Sequence, residues 1–383
     1  METPKPLGGR ILTGPFLFFL TLFLIGGYFT VKRFMLGIGA VSNMNDGYPW
    51  GIWIALDVVV GTALACGGYT MALMTYACNR MEYHPLVRPA LLTSLFGYTL
   101  AGASVMVDIG RYWQAYNIIL PWHSNLHSVM FEVALCIGAY CLVLWIEFAP
   151  TVLEKVKADQ LLTKLNRYLF VIIALGILLP TMHQSSLGTM MLMAGYKLSP
   201  LWRTGFLPLL FLLTALIIGF AVVIYESLYS SVAFGLPKET PVLTKLGTVT
   251  FWCLLLFMVI RIEDVNLRGY LPLAFDGSFV SNMFLLENAL LASALLLLMY
   301  PGNRKSPKLL FLAATCLLFG GGLYRFNTYI TGFEPGTGWQ YFPSAPELFI
   351  TLGIVSLEIL GYMWCVKKLP VLSARQTPHV SNS

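Results

Sequence analysis

A single histidine lies inside an otherwise apolar segment of the chain. Residues 178–187 read LLPTMHQSSL and interrupt an apolar stretch that runs from 169 to 193 and contains His183. A histidine can take up and release a proton near neutral pH. Because an ionisable side chain at mid-depth in a membrane costs about 2.5–3.5 kcal/mol, His183 needs a partner or a function. The alternative is structural, since Pro180 frees a backbone carbonyl that nearby polar side chains can satisfy.

Neighbouring apolar segments also carry polar residues in the predicted outer half of the membrane. Asp108 and Arg111 are expected near the outer surface, Tyr98 near the middle, and Asp57 and Glu132 between these depths. A rise of 1.5 Å per helical residue, counted from the segment ends, places Asp57 and Glu132 roughly 10 Å below the same membrane surface. We therefore expect these side chains and His183 to meet in one polar chamber in the outer half of the membrane.

Each of these residues also has a simpler interpretation. Asp108 and Arg111 have the i, i+3 spacing of an ion pair on a helix surface. Asp57 can be paired within the bundle, and Tyr98 can be a packing residue. His127, at the start of an apolar segment, is typical of a solvated or capping residue.

Three kinds of chemistry would use such a chamber. A quinone favours an apolar cleft, and its reduction needs two protons that groups such as His183 and Glu132 can deliver. A haem would need axial ligands, usually facing histidines, and only His127 and His183 lie near membrane depth. Ion transport also uses acids within helices, and Glu287 and Glu358 are candidates to continue a proton path.

Ten long apolar segments must position these residues. The chain has 383 residues, of which 57% are hydrophobic and 11% charged, whereas about 25% are charged in an average soluble domain. A helix needs about 20 apolar residues to cross a bilayer. The predicted spans are 15–33, 50–78, 86–110, 126–149, 168–193, 206–230, 244–262, 279–300, 308–330 and 346–369. The sequence thus predicts an all-α polytopic membrane protein.

The basic residues predict the orientation of the chain. Ten spans place both termini on one side, which carries sixteen of the 24 Lys and Arg residues. The other side carries the remaining eight, which are Lys32, Arg33, Arg111, Lys197, Arg203, Arg261, Arg268 and Arg325. Since basic residues are in excess on the cytoplasmic side, both termini are predicted to be cytoplasmic. The clearest basic cluster is the predicted loop 150–167. No block of five or six basic residues occurs, so no nucleic-acid partner is indicated.

The predicted outer side carries most of the longer connections. These are residues 34–49, 111–125, 263–278 and 331–345. Connections longer than a helix reversal requires are often functional, and this side is suited to docking a soluble subunit. Loops without a partner are the simpler alternative.

A weak internal similarity indicates two helix bundles. The segments SVMFEVALCIGAYCLVLW and SNMFLLENALLASALLLLMY each contain a glutamate in the outer half, Glu132 and Glu287. Chance similarity is the alternative. The predicted organisation is 1–49 for the N-terminal tail, first span and first outer loop, 50–200 for a bundle of segments 2 to 5, 201–330 for a bundle of segments 6 to 9, and 331–383 for the last span and cytoplasmic tail.

Several motifs resemble those of the NrfD family of membrane subunits. They are YPWGIWIALDVVVGTALACGGY (48–69), EYHPLVRPALLTSLFGY (82–98), VDIGRYW (107–113), LLPTMHQSSLGTMM (178–191) and GYKLSPLW (195–202). The resemblance covers nearly the whole chain, although its strongest motifs lie in the first bundle. It is greatest to the members that serve periplasm-facing nickel-iron uptake hydrogenases.

The resemblance implies a quinone-reactive subunit of the bacterial inner membrane, with menaquinone as substrate and neither haem nor an iron-sulfur cluster in this chain. It also implies electron delivery by a periplasmic ferredoxin-like iron-sulfur subunit, connected to the hydrogenase small and large subunits that hold the hydrogen-activating site. Other family members work with polysulfide or nitrite through different soluble partners. A proton- or ion-conducting transporter is the alternative from another functional class.

The family's quinone site lies in the first bundle, near the outer face. Carried over to matching positions, it comprises Tyr98, Asp108, Arg111, Glu132 and His183, and Asp57 is added because of its depth. The expected roles are proton transfer for Glu132 and His183 and quinone binding for the other four. His127 has no place in the family pattern.

Overall fold

The protein consists of ten long helices in this computed structural model, which describes residues 5–236 and 239–372. The helices α1 to α10 are Gly14–Leu36, Trp53–Ala77, Met81–Asp108, Val129–Val156, Asp159–Met193, Leu207–Ala233, Thr240–Leu267, Phe279–Met299, Pro307–Thr331 and Ala345–Lys368. Each is long and apolar enough to cross a membrane. Within the described ranges no β-strand is present, apart from an isolated bridge between Leu198 and Phe333. The predicted all-α polytopic fold is confirmed.

The two ends of the described chain lie together. The amide nitrogens of Leu7 and Gly8 donate hydrogen bonds to the carbonyl oxygens of Val366 and Lys367, each over 3.1 Å. We call this end of the molecule the terminal face. The other end, the loop face, is formed by the connections 37–52, 109–128, 194–206, 268–278 and 332–344. The predicted tails at 1–4 and 373–383, and the basic residues Lys238 and Arg375, lie outside the described residues.

The prediction that residues 150–167 form a loop is wrong, because almost all of this range is helical. Helix α4 continues to Val156 and α5 begins at Asp159, so only two residues reverse the chain. One of them, Lys157, adopts the left-handed conformation with φ +57°. Charged residues do not stop a helix that has left the hydrocarbon region. The helical hairpin instead extends into water, where Lys and Arg side chains are solvated.

Helix α2 is irregular, and its irregularity sets the shape of the interior. Its π-helical stretches, Trp53–Val60 and Leu73–Ala77, enclose two short α-helical pieces separated by a turn at Ala65 and Cys66. Helix α6 approaches this turn closely, because a Cβ added to Gly219 would lie 2.8 Å from the Cys66 carbonyl oxygen. Such π-helical insertions are frequent at functional sites.

The helices pack mainly against their neighbours in the sequence. Within α2–α5 and within α6–α9 consecutive helices are in contact, and α2 also packs against α6 and α9, which joins the two groups into one core. Helices α1 and α10 pack against each other outside this core, and both contact α3. They cross so closely that a Cβ on Gly26 would lie 2.7 Å from the Gly353 Cα. The domain boundaries near 200 and 330 stay a prediction.

Candidate functional site

A tyrosine and a histidine are in direct contact in the middle of the first four core helices. Tyr98 on α3 and His183 on α5 are both fully buried. The Nδ1 atom of His183 lies 2.9 Å from the Leu179 carbonyl oxygen, which can only accept, so Nδ1 carries the proton of the neutral ring. The Nε2 atom is left as an acceptor, and the Tyr98 hydroxyl donates to it over 2.9 Å.

Three further side chains complete what we call the Tyr98–His183 cluster. The Gln184 amide donates to the Thr62 hydroxyl over 3.0 Å and to the Tyr98 hydroxyl oxygen over 3.2 Å. The Cys66 sulfur lies 3.4 Å from the same hydroxyl. Cys66 lies in the turn of α2 and Thr62 three residues before Ala65. This irregular part of the helix therefore places Cys66 against Tyr98 and Thr62 against Gln184.

Glu132 lies beside the cluster, on its loop-face side. It occupies the first turn of α4, is half-buried, and accepts a hydrogen bond of 2.8 Å from the Ser186 hydroxyl. Ser186 follows His183 by three residues on α5, which is about 4.5 Å along a helix axis. The structure thus brings three of the predicted residues, Tyr98, His183 and Glu132, into one region.

Asp57 lies in a different environment, between α2, α3 and α10. One of its carboxylate oxygens, Oδ2, accepts hydrogen bonds from Ser104 over 3.0 Å and from Thr351 over 3.2 Å. Its place in the π-helical stretch Trp53–Val60 turns it towards α10. The described residues therefore show no hydrogen bond between Asp57 and the Tyr98–His183 cluster.

Asp108 and Arg111 are also separate from the cluster and from each other. Arg111 is exposed and forms no ion pair with Asp108 within the described ranges. The basic neighbour of Asp108 is instead Arg33 of α1, whose charge acts on it. The buried Arg33 guanidinium donates to the carbonyl oxygens of Val107 and Ile109 over 2.6 and 2.5 Å. Arg33 therefore ties α1 to the loop-face end of α3.

A buried glutamate that the sequence analysis missed lies near this end. Glu347 accepts hydrogen bonds from the backbone of Asn43 over 2.9 Å and from the Tyr341 hydroxyl over 2.6 Å. Burial and the bond to Glu347 raise the pKa of Tyr341. The sequence SAPE contains a signal that could have placed Glu347, because Ser344 and Glu347 form the S-x-x-E capping box that starts α10.

Glu287, the predicted counterpart of Glu132 in the second bundle, is held in a buried ion pair. Its carboxylate lies 3.1 Å from the Arg261 guanidinium, and both side chains are at most 1% exposed. The Trp202 indole donates to it over 3.1 Å and the Asn327 amide over 2.7 Å. Sequence analysis assigned Arg261 to the outer membrane flank, whereas the structure buries it in the core.

Glu358 lies nearer the terminal face, together with a second acid. Its carboxylate packs 3.4 Å from the position of a Cβ on Gly97, the residue before Tyr98. Glu226 is close enough for the two charges to interact, and it accepts a hydrogen bond of 2.8 Å from Thr93. A small cavity of about 50 Å³ reaches Glu226 and is also lined by Glu239.

The residues around His183 do not fit an axial ligand of a haem. Both ring nitrogens are engaged, Nδ1 with the Leu179 carbonyl and Nε2 with the Tyr98 hydroxyl. Of the histidines in the described ranges, His123 and His127 are exposed on the loop face. The described residues also contain no group of three or more His, Cys, Asp and Glu side chains that could hold a metal ion.

Comparison with known proteins shows the family. Residues 40–334 match the model described as "Polysulphide reductase, NrfD". The probable Ni/Fe-hydrogenase 2 b-type cytochrome subunit of Escherichia coli (strain K12) is 45% identical over 374 residues, which cover 96% of this chain and 95% of that protein.

Two more distant relatives have names that refer to other redox systems. The integral membrane subunit of menaquinone reductase from Nitratidesulfovibrio vulgaris is 26% identical over 387 residues, covering 92% of this chain and 90% of that protein. A selenate reductase subunit from Mesobacillus selenatarsenatis is 22% identical over 419 residues, covering 92% of this chain and 96% of that protein. Ten helices in the described part of the chain are long and apolar enough to cross a membrane, and the family match covers most of its length, so the chain is a multi-pass membrane protein that belongs to the NrfD family.

Proposed function

We propose that this chain is the quinone-reactive membrane subunit of a hydrogenase complex. In this proposal a periplasmic iron-sulfur subunit delivers electrons, and menaquinone accepts them together with protons. The names of two relatives support the proposal, since one is a hydrogenase subunit and the other belongs to a menaquinone reductase. The observation that carries it is the buried hydrogen bond between Tyr98 and His183, with Glu132 close by.

The hydrogen bonds suggest how protons would reach the quinone. In the resting state neutral His183 Nε2 accepts the single Tyr98 hydroxyl proton. Once Nε2 takes up a proton it would donate to the Tyr98 oxygen, and the Tyr98 hydroxyl would then be free to donate to a quinone carbonyl oxygen beside it. On reduction the hydroxyl proton would pass to the quinone, and the proton on Nε2 would replace it. The Leu179 carbonyl keeps the ring of His183 in this orientation throughout, because it binds the Nδ1 proton. Glu132 would supply protons from the loop face.

A second proton route would start at the terminal face. The cavity at Glu226 and the position of Glu358 against Gly97 support a path that ends near Tyr98. Glu287 is a weaker candidate than the sequence suggested, because its ion pair with Arg261 engages it. Asp57, Asp108 and Arg111 remain predicted quinone-binding residues and would act from the neighbouring region near α10 and the loop face.

The proposal is tested by His183→Ala and Glu132→Gln in the purified complex. Both should abolish hydrogen-dependent reduction of a menaquinone analogue, while the soluble subunits still reduce an artificial dye. His127→Ala and Glu334→Gln are matched controls, because both of these side chains are exposed on the loop face. Normal quinone turnover in both site variants would refute the assignment.

The alternative function is proton conduction without quinone chemistry, and the cavity at Glu226 is the observation that favours it. Proteoliposomes that contain the purified chain distinguish the two functions. A conductor would carry protons down a pH gradient without quinone, and Glu226→Gln would stop that flux. Our proposal predicts proton uptake only during quinone reduction.

A further inference from the structure

Among the described residues, three arginines on the membrane-spanning helices are at most 1% exposed, and one of them lacks an acidic partner. Arg261 forms the ion pair with Glu287. Arg33 donates to carbonyl oxygens and has no carboxylate oxygen of a described residue within 4.0 Å, but the charge of Asp108 acts on it. Arg325 is 0% exposed. Among the described residues, no carboxylate oxygen lies within 4.0 Å of it.

The partners of Arg325 are all neutral. Its guanidinium donates to the Thr214 hydroxyl over 3.1 Å, to the Val59 carbonyl over 3.0 Å and to the Phe211 carbonyl over 2.5 Å. The guanidinium also stacks on the Phe211 ring, 4.8 Å from its centroid. These contacts tie α9 to α2 and α6, but they leave a full positive charge without a counter-charge.

The charge of Arg325 lies next to the Tyr98–His183 cluster. Val59, which accepts one of its hydrogen bonds, precedes Thr62 of the cluster by three residues in α2. The charge acts on both Cys66 and His183. Four residues after Arg325 the hydroxyl of Tyr329 donates over 2.8 Å to the Leu187 carbonyl, one turn beyond His183.

A buried charge without a partner is costly, and arginine stays protonated in proteins. Carbonyl and hydroxyl acceptors could be satisfied by a neutral donor, so hydrogen bonding alone does not require a cation. A preorganised positive charge in a site of low dielectric is most effective where negative charge develops during a reaction. The missing counter-charge of Arg325 therefore points to an anion formed at the cluster.

We propose that Arg325 stabilises the anionic form of the reduced quinone at the Tyr98–His183 cluster. This inference rests on the proposed function. Two electrons from the iron-sulfur partner and one proton convert the quinone to a singly protonated anion, and a second proton then gives the neutral quinol. Arg325 is a positioning residue in this proposal. It acts through the electrostatic field of its guanidinium and through its hydrogen bond to the Val59 carbonyl of α2.

The test compares two ligands that differ in charge. A hydroxynaphthoquinone is ionised at neutral pH, and a methylnaphthoquinone with the same alkyl chain is neutral. Their dissociation constants are measured on the purified complex of the wild type and of Arg325→Gln, Arg325→Lys and Thr214→Val. Thr214→Val is the matched control, because it removes one hydrogen-bond partner of Arg325 and keeps the charge.

Arg325→Gln should weaken binding of the ionised ligand about tenfold or more and that of the neutral ligand much less. Arg325→Lys and Thr214→Val should keep the preference of the wild type. An equal loss for both ligands in Arg325→Gln would show a purely structural role and overturn the inference.

If Arg325→Gln does not fold, the wild type still decides the question. Binding of the neutral ligand without any preference for the ionised one would refute the role of Arg325 alone. Failure of the wild type to bind either ligand would instead refute the proposed quinone site.

Discussion

The substitution Tyr98→Phe separates the hydroxyl of Tyr98 from its packing. It removes the donor to His183 Nε2 and one acceptor of Gln184, but the Gln184 amide already lies 3.1 Å from the same His183 nitrogen and can replace the lost donor. The structural loss should therefore be near the lower end for a buried hydrogen bond, about 1 kcal/mol. Thermal unfolding in detergent should shift by only about 2 °C.

The catalytic loss should be much larger than the structural one. If the Tyr98 hydroxyl gives its proton to the quinone, Phe at this position should lower quinone turnover by about 100-fold or more. Reduction of an artificial dye by the soluble subunits should be unchanged. The assay is hydrogen-dependent reduction of a menaquinone analogue by the purified complex.

Tyr140→Phe is the matched control for this prediction. The Tyr140 ring packs edge-on against the Tyr98 ring, with centroids 4.5 Å apart. Removing the Tyr140 hydroxyl leaves the hydrogen bond from Tyr98 to His183 intact. Turnover of Tyr98→Phe within about twofold of the wild type would refute proton donation by Tyr98. A similar fall in both variants would indicate a packing effect instead.

Three further substitutions or measurements test the fold and the site. Glu287→Gln leaves Arg261 buried without its counter-charge. It should therefore lower the free energy of unfolding by about 3–5 kcal/mol. Glu263→Gln, on the exposed surface, should have little effect in the same unfolding assay. Gly26→Ala should loosen the pairing of α1 with α10, because its Cβ would lie 2.5 Å from the Phe349 carbonyl oxygen. The Cβ of Gly27→Ala would meet nothing within 4 Å, so this variant is the control. The melting temperature should fall in Gly26→Ala and stay unchanged in Gly27→Ala. The purified chain should show no Soret band, since both nitrogens of His183 are engaged, and a band of full occupancy would contradict that geometry.

The ten helices could be predicted from the sequence because hydrocarbon thickness fixes the length of an apolar span. Helix ends in water were less predictable, as the basic stretch after Pro150 shows. It was predicted to be a loop because it is charged, yet the helical hairpin continues to Val156 and resumes at Asp159. A change from apolar to charged residues marks the point where the chain leaves the hydrocarbon region. It does not mark the end of the helix, because backbone hydrogen bonding continues in water.

The depth of each candidate residue in the membrane could be predicted from the sequence. The direction in which its side chain points depends on the rotation of the helix about its axis, which the sequence did not give. Depth grouped Asp57 with His183, but Asp57 faces Ser104 and Thr351, away from the cluster. The π-helical stretches of α2 change the direction of every later side chain in that helix, and no residue pattern in the sequence announces them. His183 was singled out because a lone histidine is conspicuous among aliphatic residues, whereas Tyr98 was assigned from the family resemblance and its depth.

The buried arginines were missed for a related reason. A count of basic residues treats each one as a flank in water, and Arg33, Arg261 and Arg325 were assigned to the outer side in that count. All three are at most 1% exposed. Arg325 lies six residues before the end of α9, a distance from the helix end that could have marked it as an intramembrane charge.

Glu132 and Glu287, the two glutamates paired by the weak internal similarity, have different surroundings. Glu132 is half-buried and has one neutral donor, Ser186, so a proton can reach its carboxylate from the loop face. Glu287 is fully buried, and donors from Arg261, Trp202 and Asn327 surround it. Protonating Glu287 would leave the Arg261 charge unbalanced, which makes proton exchange there unfavourable. Glu132 therefore has the partial exposure and the neutral partner that our proposal of proton transfer needs, whereas Glu287 is engaged in a buried ion pair.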